Sequence, residues 1–251
     1  MKTSLVLSSL FFAQAAILHA AISQTFETGE DTSNWGSGST WSGLGITAST
    51  FLDSSIGGSS SGFGDHNVQN YSRSFQNNTE GLVVSTDTYE MSMYLIFDQF
   101  DVSSGSGKFE VFDGDYGSST ANLKVDSTAG MEWQVNDGGS WVNLGLTAQV
   151  GSIYHISYIV DPTGGTYSAS VAEVDTFGVV QGSSVSTSGV DFQSSNAVGN
   201  NQSGKLGFHI DVSSATVDFR VDNINIDAIP EPSTTAFGMS ALLVGLLRRR
   251  R

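Results

Sequence analysis

The chain has 251 residues, 25 acidic and 10 basic side chains, a net charge of −15 and no cysteine. Such a charge excludes nucleic acid, whose phosphates would be repelled, and argues against an anionic lipid surface. Without disulfides, any folded part must rest on its own core or on a metal.

The amino terminus carries a targeting pattern. Met1-Lys2 is a short positive region, Leu5 to Leu18 is mostly apolar, and small residues follow at Ala20, Ala21 and Ser23. This predicts a secretory signal peptide, helical in its apolar part, over residues 1–23. Spacing of small residues permits cleavage after Ala15 or after Ser23, and the region 20–23 leaves the longer apolar core. The Sec export machinery is the partner such a leader implies.

Residues 24–229 are long enough for one β domain. The two termini hold five of the ten basic residues and one of the twenty-five acidic ones, which leaves this segment at −19. The whole chain has 29 glycines and three prolines; residues 24–229 show no sustained helical periodicity, and many windows alternate. The Gly/Ser-rich stretches Gly36 to Gly43 and Ser54 to Gly64 read as loops. Strands follow at Leu82 to Val84, Tyr89 to Phe97 and Lys108 to Phe112, rich in β-branched and aromatic residues. Met131 to Val135 and Ser140 to Leu144 flank Asn-Asp-Gly-Gly, and Ile153 to Val160 and Thr166 to Val171 flank Asp-Pro-Thr-Gly-Gly. Both are hairpin signals, because such turns need residues that tolerate positive φ. A third hairpin is predicted from Lys205 to Ile210 and Thr216 to Ile224. About a dozen strands imply an all-β, two-sheet antiparallel jelly-roll sandwich.

The carboxyl terminus, residues 230–251, has three parts. Pro230-Glu231-Pro232 cannot continue a strand, because each proline lacks an amide donor. A hydrophobic segment, predicted helical, runs from Thr234 to Leu247, and Arg248, Arg249, Arg250 and Arg251 follow. About fourteen apolar residues fall short of the roughly 20 that span a bilayer, although arginine stems can snorkel and extend the reach. The arginines would stay on the cytoplasmic side. In order and position these parts resemble the PEP-CTERM sorting tail of exported bacterial proteins. The resemblance implies an exosortase-type membrane protease that cuts near Pro-Glu-Pro. It further implies transient anchoring by the tail, then release to the cell surface or extracellular matrix.

The body carries resemblances of its own. Thr25-Phe26-Glu27-Thr28-Gly29 with Trp35, and the closing Phe219 to Ile224, resemble the first and last strands of concanavalin-A-like and galactose-binding-like jelly rolls, including carbohydrate-binding modules. Ile153 to Asp161 with Gly165 to Tyr167 resembles a laminin-G-like hairpin. The resemblance implies that Glu27 and Asp222 approach each other and, with backbone carbonyls, hold a structural Ca²⁺; two solvated strand-end acids are the alternative. No other cofactor is implied.

Catalytic patterns fail one by one. Glycosidases of this fold class use Glu-x-Asp-x-x-Glu on one strand, and Glu173-Val174-Asp175 begins that pattern but reaches Gly178 where the second Glu belongs. Asp113-Gly114-Asp115 lacks the rest of a calcium loop and reads as a turn, and the four histidines lack zinc spacing. The domain is therefore expected to be noncatalytic. Trp35, Trp41, Trp133 and Trp141 could stack on sugar rings or pack the core. Trp133 and Trp141 straddle one hairpin and are the candidate ligand pair. Three functions remain: a structural or adhesive surface domain, a lectin-like module for exopolysaccharide or another glycan, and a glycan hydrolase or lyase.

Overall fold

The computed structural model describes residues 22–27, 30, 43–65, 67, 69–74, 83–102, 107–194, 205–211 and 215–229. Trp35, Trp41, the apolar leader and the whole Pro-Glu-Pro tail lie outside the described residues.

Two antiparallel sheets form a sandwich. One contains β12 (Val180–Asp191), β11 (Thr166–Val174), β10 (Ile153–Asp161), β5 (Tyr89–Val102), β14 (Ala215–Ala228), β3 (Ser61–Gly64) and β2 (Gly45–Thr47), in that order, with β1 (Ile22–Gln24) also paired to β14. The other has six strands, in the order β4 (Asn70–Ser74), β13 (Lys205–Ile210), β6 (Lys108–Asp113), β7 (Ala121–Asp126), β8 (Glu132–Asp137) and β9 (Ser140–Thr147). Among the described residues no helix is long and apolar enough to cross a membrane.

Alternation builds the core. On β5 the inward residues Tyr89, Met91, Met93, Leu95 and Phe97 are fully buried, and on β10 Tyr154, Ile156, Tyr158 and Val160 are too. They meet Phe109, Leu123, Trp133 and Phe208 from the opposite sheet, with Phe97 edge-on to Phe109 at 5.0 Å between centroids. Each such large side chain contributes roughly 1.5–3 kcal/mol by leaving water. The buried tyrosines also satisfy their hydroxyls: Tyr158 donates to the Val111 carbonyl at 2.7 Å, which ties the two sheets together.

The two expected hairpins form. β8 and β9 pair from Asp137 with Ser140 around Gly138 and Gly139, which take φ of 57° and 93°. β10 and β11 pair from Asp161 with Thr166 to Ile153 with Val174. The third expected hairpin does not form. β13 pairs with β4 and β6 in the six-stranded sheet, whereas β14 pairs with β5, β3 and β1 in the other. The chain crosses the sandwich between them, so two strands close in sequence end on different sheets.

The stretch Ser54 to Gly64, expected to be a loop, is α1 (Ser54–Gly57) followed by β3. Asp53 caps α1 by accepting the Ser55 amide at 2.9 Å. The segment works as a strap over the outside of the eight-stranded sheet. Phe51, Leu52 and Ile56 cover Ile96, Ile153 and Val174, and the Asp53 amide donates to the Thr176 carbonyl at 2.7 Å. β1 begins at Ile22, inside the stretch read as the leader, and Ser23 pairs with Asn225. Cleavage after Ala15 would keep this strand, whereas cleavage after Ser23 would remove two of its three residues.

Candidate functional site

The outer face of the six-stranded sheet carries a polar row that crosses every strand. Pairing registers place Asn70, His209, Glu110, Lys124, Gln134 and Asn143 side by side on six successive strands. A second row beside it holds Ser72, Gly207, Phe112 and Asn122, and Asn136 pairs with Trp141 at its far end. These positions alternate with the core residues Val111, Leu123, Val135 and Phe208, so the same strands that fill the interior present this face.

The face is polar yet buried. Glu110 is 3% exposed, Asn122 0%, Asn136 1% and Gln134 8%. Asn122 Nδ2 donates to Glu110 Oε2 at 3.0 Å, and Lys108 Nζ lies 3.1 Å from Glu110 Oε1. Lys124 Nζ pairs with Asp126 Oδ2 at 2.9 Å. Gln134 Nε2 donates to Asn143 Oδ1. Among the described residues, four buried side-chain atoms on this face have no hydrogen-bond partner: Asn122 Oδ1, Gln134 Oε1, Asn136 Nδ2 and Ser72 Oγ. Each such atom costs about 1–3 kcal/mol when left unbonded, so native proteins keep few of them.

Two aromatic side chains overlie the rows. Lys124 Nζ is 4.4 Å from the Trp141 ring centroid. Lys124 on β7 and Trp141 on β9 thus meet above β8, the strand between them, whose outward residues are Gln134 and Asn136. Tyr116, on the turn after β6, stacks on His209 at 3.8 Å and 20°. Its hydroxyl accepts from Lys108 Nζ at 2.8 Å. Burial works against the Lys108 charge, but Tyr116 and Glu110 outweigh it, and the amine titrates above the usual lysine range. Burial pushes His209 down to about 4, with Glu110 and Asp211 opposing and Lys108 assisting; its Nδ1 lies 2.8 Å from Asn70 Oδ1.

The corner holding Glu27 and Asp222 is a second site. After β1 the chain turns at Phe26, φ 59°, and the Glu30 carboxylate accepts the Thr25 and Phe26 amides at 2.9 and 2.7 Å. Glu27 accepts the Ser59 and Ser60 amides and the Ser59 hydroxyl at 2.6, 2.9 and 2.7 Å, and these bonds hold it below the usual carboxylate range. On β14 a bulge at Asn223, φ 47°, turns the fully buried Asp222 toward the strap, where Thr50 Oγ1 donates to it at 3.0 Å. A Cβ on Gly57 would stand 3.1 Å from Asp222 Oδ2, and one on Gly58 2.3 Å from Glu27 Oε1, so both acids reach adjacent residues of the strap. Burial pushes Asp222 up to about 7, opposed by the Asn223 amide and Thr50 hydroxyl and assisted by the charges of Glu27 and Glu30. Among the described residues no three His, Asp or Glu side chains are grouped to hold a metal. A cation here would need the strap's carbonyls beside the two carboxylates, an all-oxygen set of the kind Ca²⁺ takes.

Other residues singled out in the sequence have structural duties. Trp133, expected beside Trp141 as a ligand platform, points the opposite way. It is fully buried, edge-on to Tyr154 at 5.5 Å, and presents no face to a ligand. Glu173 accepts from the Ser152 hydroxyl at 2.7 Å, and Asp175 Oδ1 accepts the Phe177 and Val179 amides at 2.9 Å, so the Glu-Val-Asp motif caps a turn. Asp113 is buried, accepting from the hydroxyls of Tyr89 and Thr120 and, at 2.9 Å, from the Lys205 amide. A third surface is a groove of about 390 Å³ beside β3 and β14, where Arg220 is tied to Asp98 by two bonds of 2.7 and 2.8 Å.

No family model matches the chain, and no curated protein matches it. Solved structures do. The chain is similar to the GH43 protein BlXynB from Bacillus licheniformis, at 12% identity and a TM-score of 0.44, over 82% of this chain and 39% of that one. It is similar to the cellulose induced protein Cip1, at 17% identity and 0.46, over 83% of this chain and 97% of that one. It is similar to peanut lectin, at 9% identity and 0.42, over 85% of this chain and 99% of that one. The chain thus spans about two fifths of the GH43 protein's length. The likeness is one of fold alone.

Proposed function

We propose that this chain is an exported, noncatalytic β-sandwich that binds a glycan on the outer face of its six-stranded sheet and acts at the cell surface or in the extracellular matrix. The observation that carries the reading is the polar double row under Trp141 and Tyr116, with four buried hydrogen-bonding atoms left unpaired. Glycan sites combine aromatic faces with a few fixed polar groups in this way. Export rests on the leader pattern at residues 1–23, and sorting by an exosortase-type protease rests on Pro230-Glu231-Pro232 and the four terminal arginines. In the same reading, Glu27 and Asp222 hold a structural Ca²⁺ that fastens the strap.

A glycan array probed with the full chain in mild detergent tests this, with and without calcium. Saturable binding that Trp141→Ala weakens is the expected result. A folded chain that binds no glycan under either condition would leave a purely structural domain.

A further inference from the structure

We infer that the outer face of the six-stranded sheet takes an extended neutral oligosaccharide rather than a uronate or sulfate polymer. The inference rests on the glycan-binding reading above and concerns its chemistry.

The unpaired atoms define what can satisfy them. Asn122 Nδ2 is held by the Glu110 carboxylate, which only accepts, so Asn122 Oδ1 must point away as a free acceptor. Asn136 Oδ1 accepts the Gly139 amide at 2.8 Å, so its Nδ2 is a free donor. Gln134 Oε1 adds a second acceptor, and the Ser72 hydroxyl can do either. Acceptors and donors thus stand within one face. A sugar hydroxyl both donates and accepts, and can meet any of them. A carboxylate or sulfate only accepts, and would set lone pairs against Asn122 Oδ1 and Gln134 Oε1.

Charge points the same way. The lysines of the face are already paired, Lys108 with Glu110 at 3.1 Å, Lys124 with Asp126 at 2.9 Å and Lys205 with Asp115. They leave little positive charge to balance an acidic sugar, and a chain at −15 repels polyanions at long range. The row crosses six strands, about 24 Å at the usual interstrand spacing, which suits a chain of sugars rather than one. Trp141 is half-buried, with Lys124 Nζ 4.4 Å from its ring centroid, so part of its indole is open for a sugar to stack on.

Affinity electrophoresis of the full chain in gels containing neutral polysaccharides (xylan, galactomannan, mixed-linkage glucan) or anionic ones (polygalacturonate, alginate, a sulfated galactan) tests the inference. The key variant is Gln134→Met, which keeps the side chain's shape and removes its polar atoms; Asn122→Leu is the second. The expected result is retardation by a neutral polymer alone, weakened at least tenfold in Gln134→Met while its melting temperature is unchanged or higher. A merely structural Gln134 would lose stability instead. Retardation by anionic polymers alone would overturn the neutral assignment and leave glycan binding standing. Neutral binding untouched by both variants would overturn the placement on this face. A folded chain retarded by none would overturn both readings.

Discussion

His209 offers a direct test of how dry the polar face is. Its imidazole is 3% exposed, stacked on Tyr116 and bonded to Asn70. Burial depresses its pKa from 6.5 to about 4, with Glu110 and Asp211 pulling it up and Lys108 pushing it down. The sign follows from proton binding. Between those two values the unfolded chain holds the proton and the native chain does not, so stability rises with pH across that window. It is fully present above 6.5 and is lost as pH falls toward about 4. The full difference is about 3 kcal/mol, and about 2 kcal/mol of it is already gone by pH 5.

The perturbation is His209→Gln, and the assay is urea unfolding at fixed ionic strength from pH 8 to pH 5. The many carboxylates impose their own pH dependence, so the readable quantity is wild type minus variant. That difference should close by about 2 kcal/mol as pH falls, equivalent to roughly 4–8 °C in melting temperature for a domain of this size. A difference that stays flat with pH would refute the reasoning. The imidazole would then be solvated, and the face would be an ordinary wet sheet surface.

The two hairpin tryptophans should separate cleanly. Trp133→Ala should lower stability by about 3–5 kcal/mol in denaturant unfolding, since it empties a fully buried site, whereas Trp141→Ala should cost under about 1 kcal/mol and be felt in glycan binding. Millimolar calcium should raise the melting temperature of the wild type relative to EDTA, and Asp222→Asn should erase that increment; an equal increment in the variant would place the ion elsewhere. Gly62→Ala should destabilise by about 1–3 kcal/mol, because its Cβ would stand 2.6 Å from the Phe26 ring. Gly151→Ala, with open space but φ of 84°, should cost about 1 kcal/mol in the same unfolding assay.

What was legible in the sequence was local. The β8–β9 and β10–β11 turns announce themselves in Asp-Gly-Gly and Thr-Gly-Gly, and those pairings form. Lys205 to Ile224 carries similar punctuation, but the chain there passes from one sheet to the other, and turn chemistry does not say which edge a strand will join. The tryptophans show a subtler failure. With Asp137 opposite Ser140 across a two-residue turn, odd-numbered residues of β8 share a face with even-numbered residues of β9. Trp133 and Trp141 are both odd, so they face apart, and the register alone could have excluded their pairing. The polar rows were harder to see. The alternation in Lys-Phe-Glu-Val-Phe and Met-Glu-Trp-Gln-Val marks strands, but Asn-Leu-Lys-Val-Asp, the strand between them, is not among those expected from the sequence. Nothing local says that a Trp from β9 and a Tyr from a turn will fold back over them.

The two outer faces differ, and the difference supports the proposed placement of the glycan site on the six-stranded sheet. The eight-stranded sheet is covered in part by a segment of its own chain, the strap, whose Phe51, Leu52 and Ile56 meet apolar partners on β5, β10 and β11. Apolar against apolar, fastened by the Asp53–Thr176 and Asn223–Ile56 bonds, that part of the surface is closed by folding. The six-stranded sheet is covered, among the described residues, by single aromatic side chains over amides and paired charges, and it keeps four hydrogen-bonding atoms unmet. Methionine at Gln134 would remove the unmet oxygen there and give up only the bond to the exposed Asn143. In the proposed reading the cost of the unmet atoms is met by a bound glycan, and polar atoms held rigidly on strands are what gives such a site its discrimination between hydroxyl-bearing ligands.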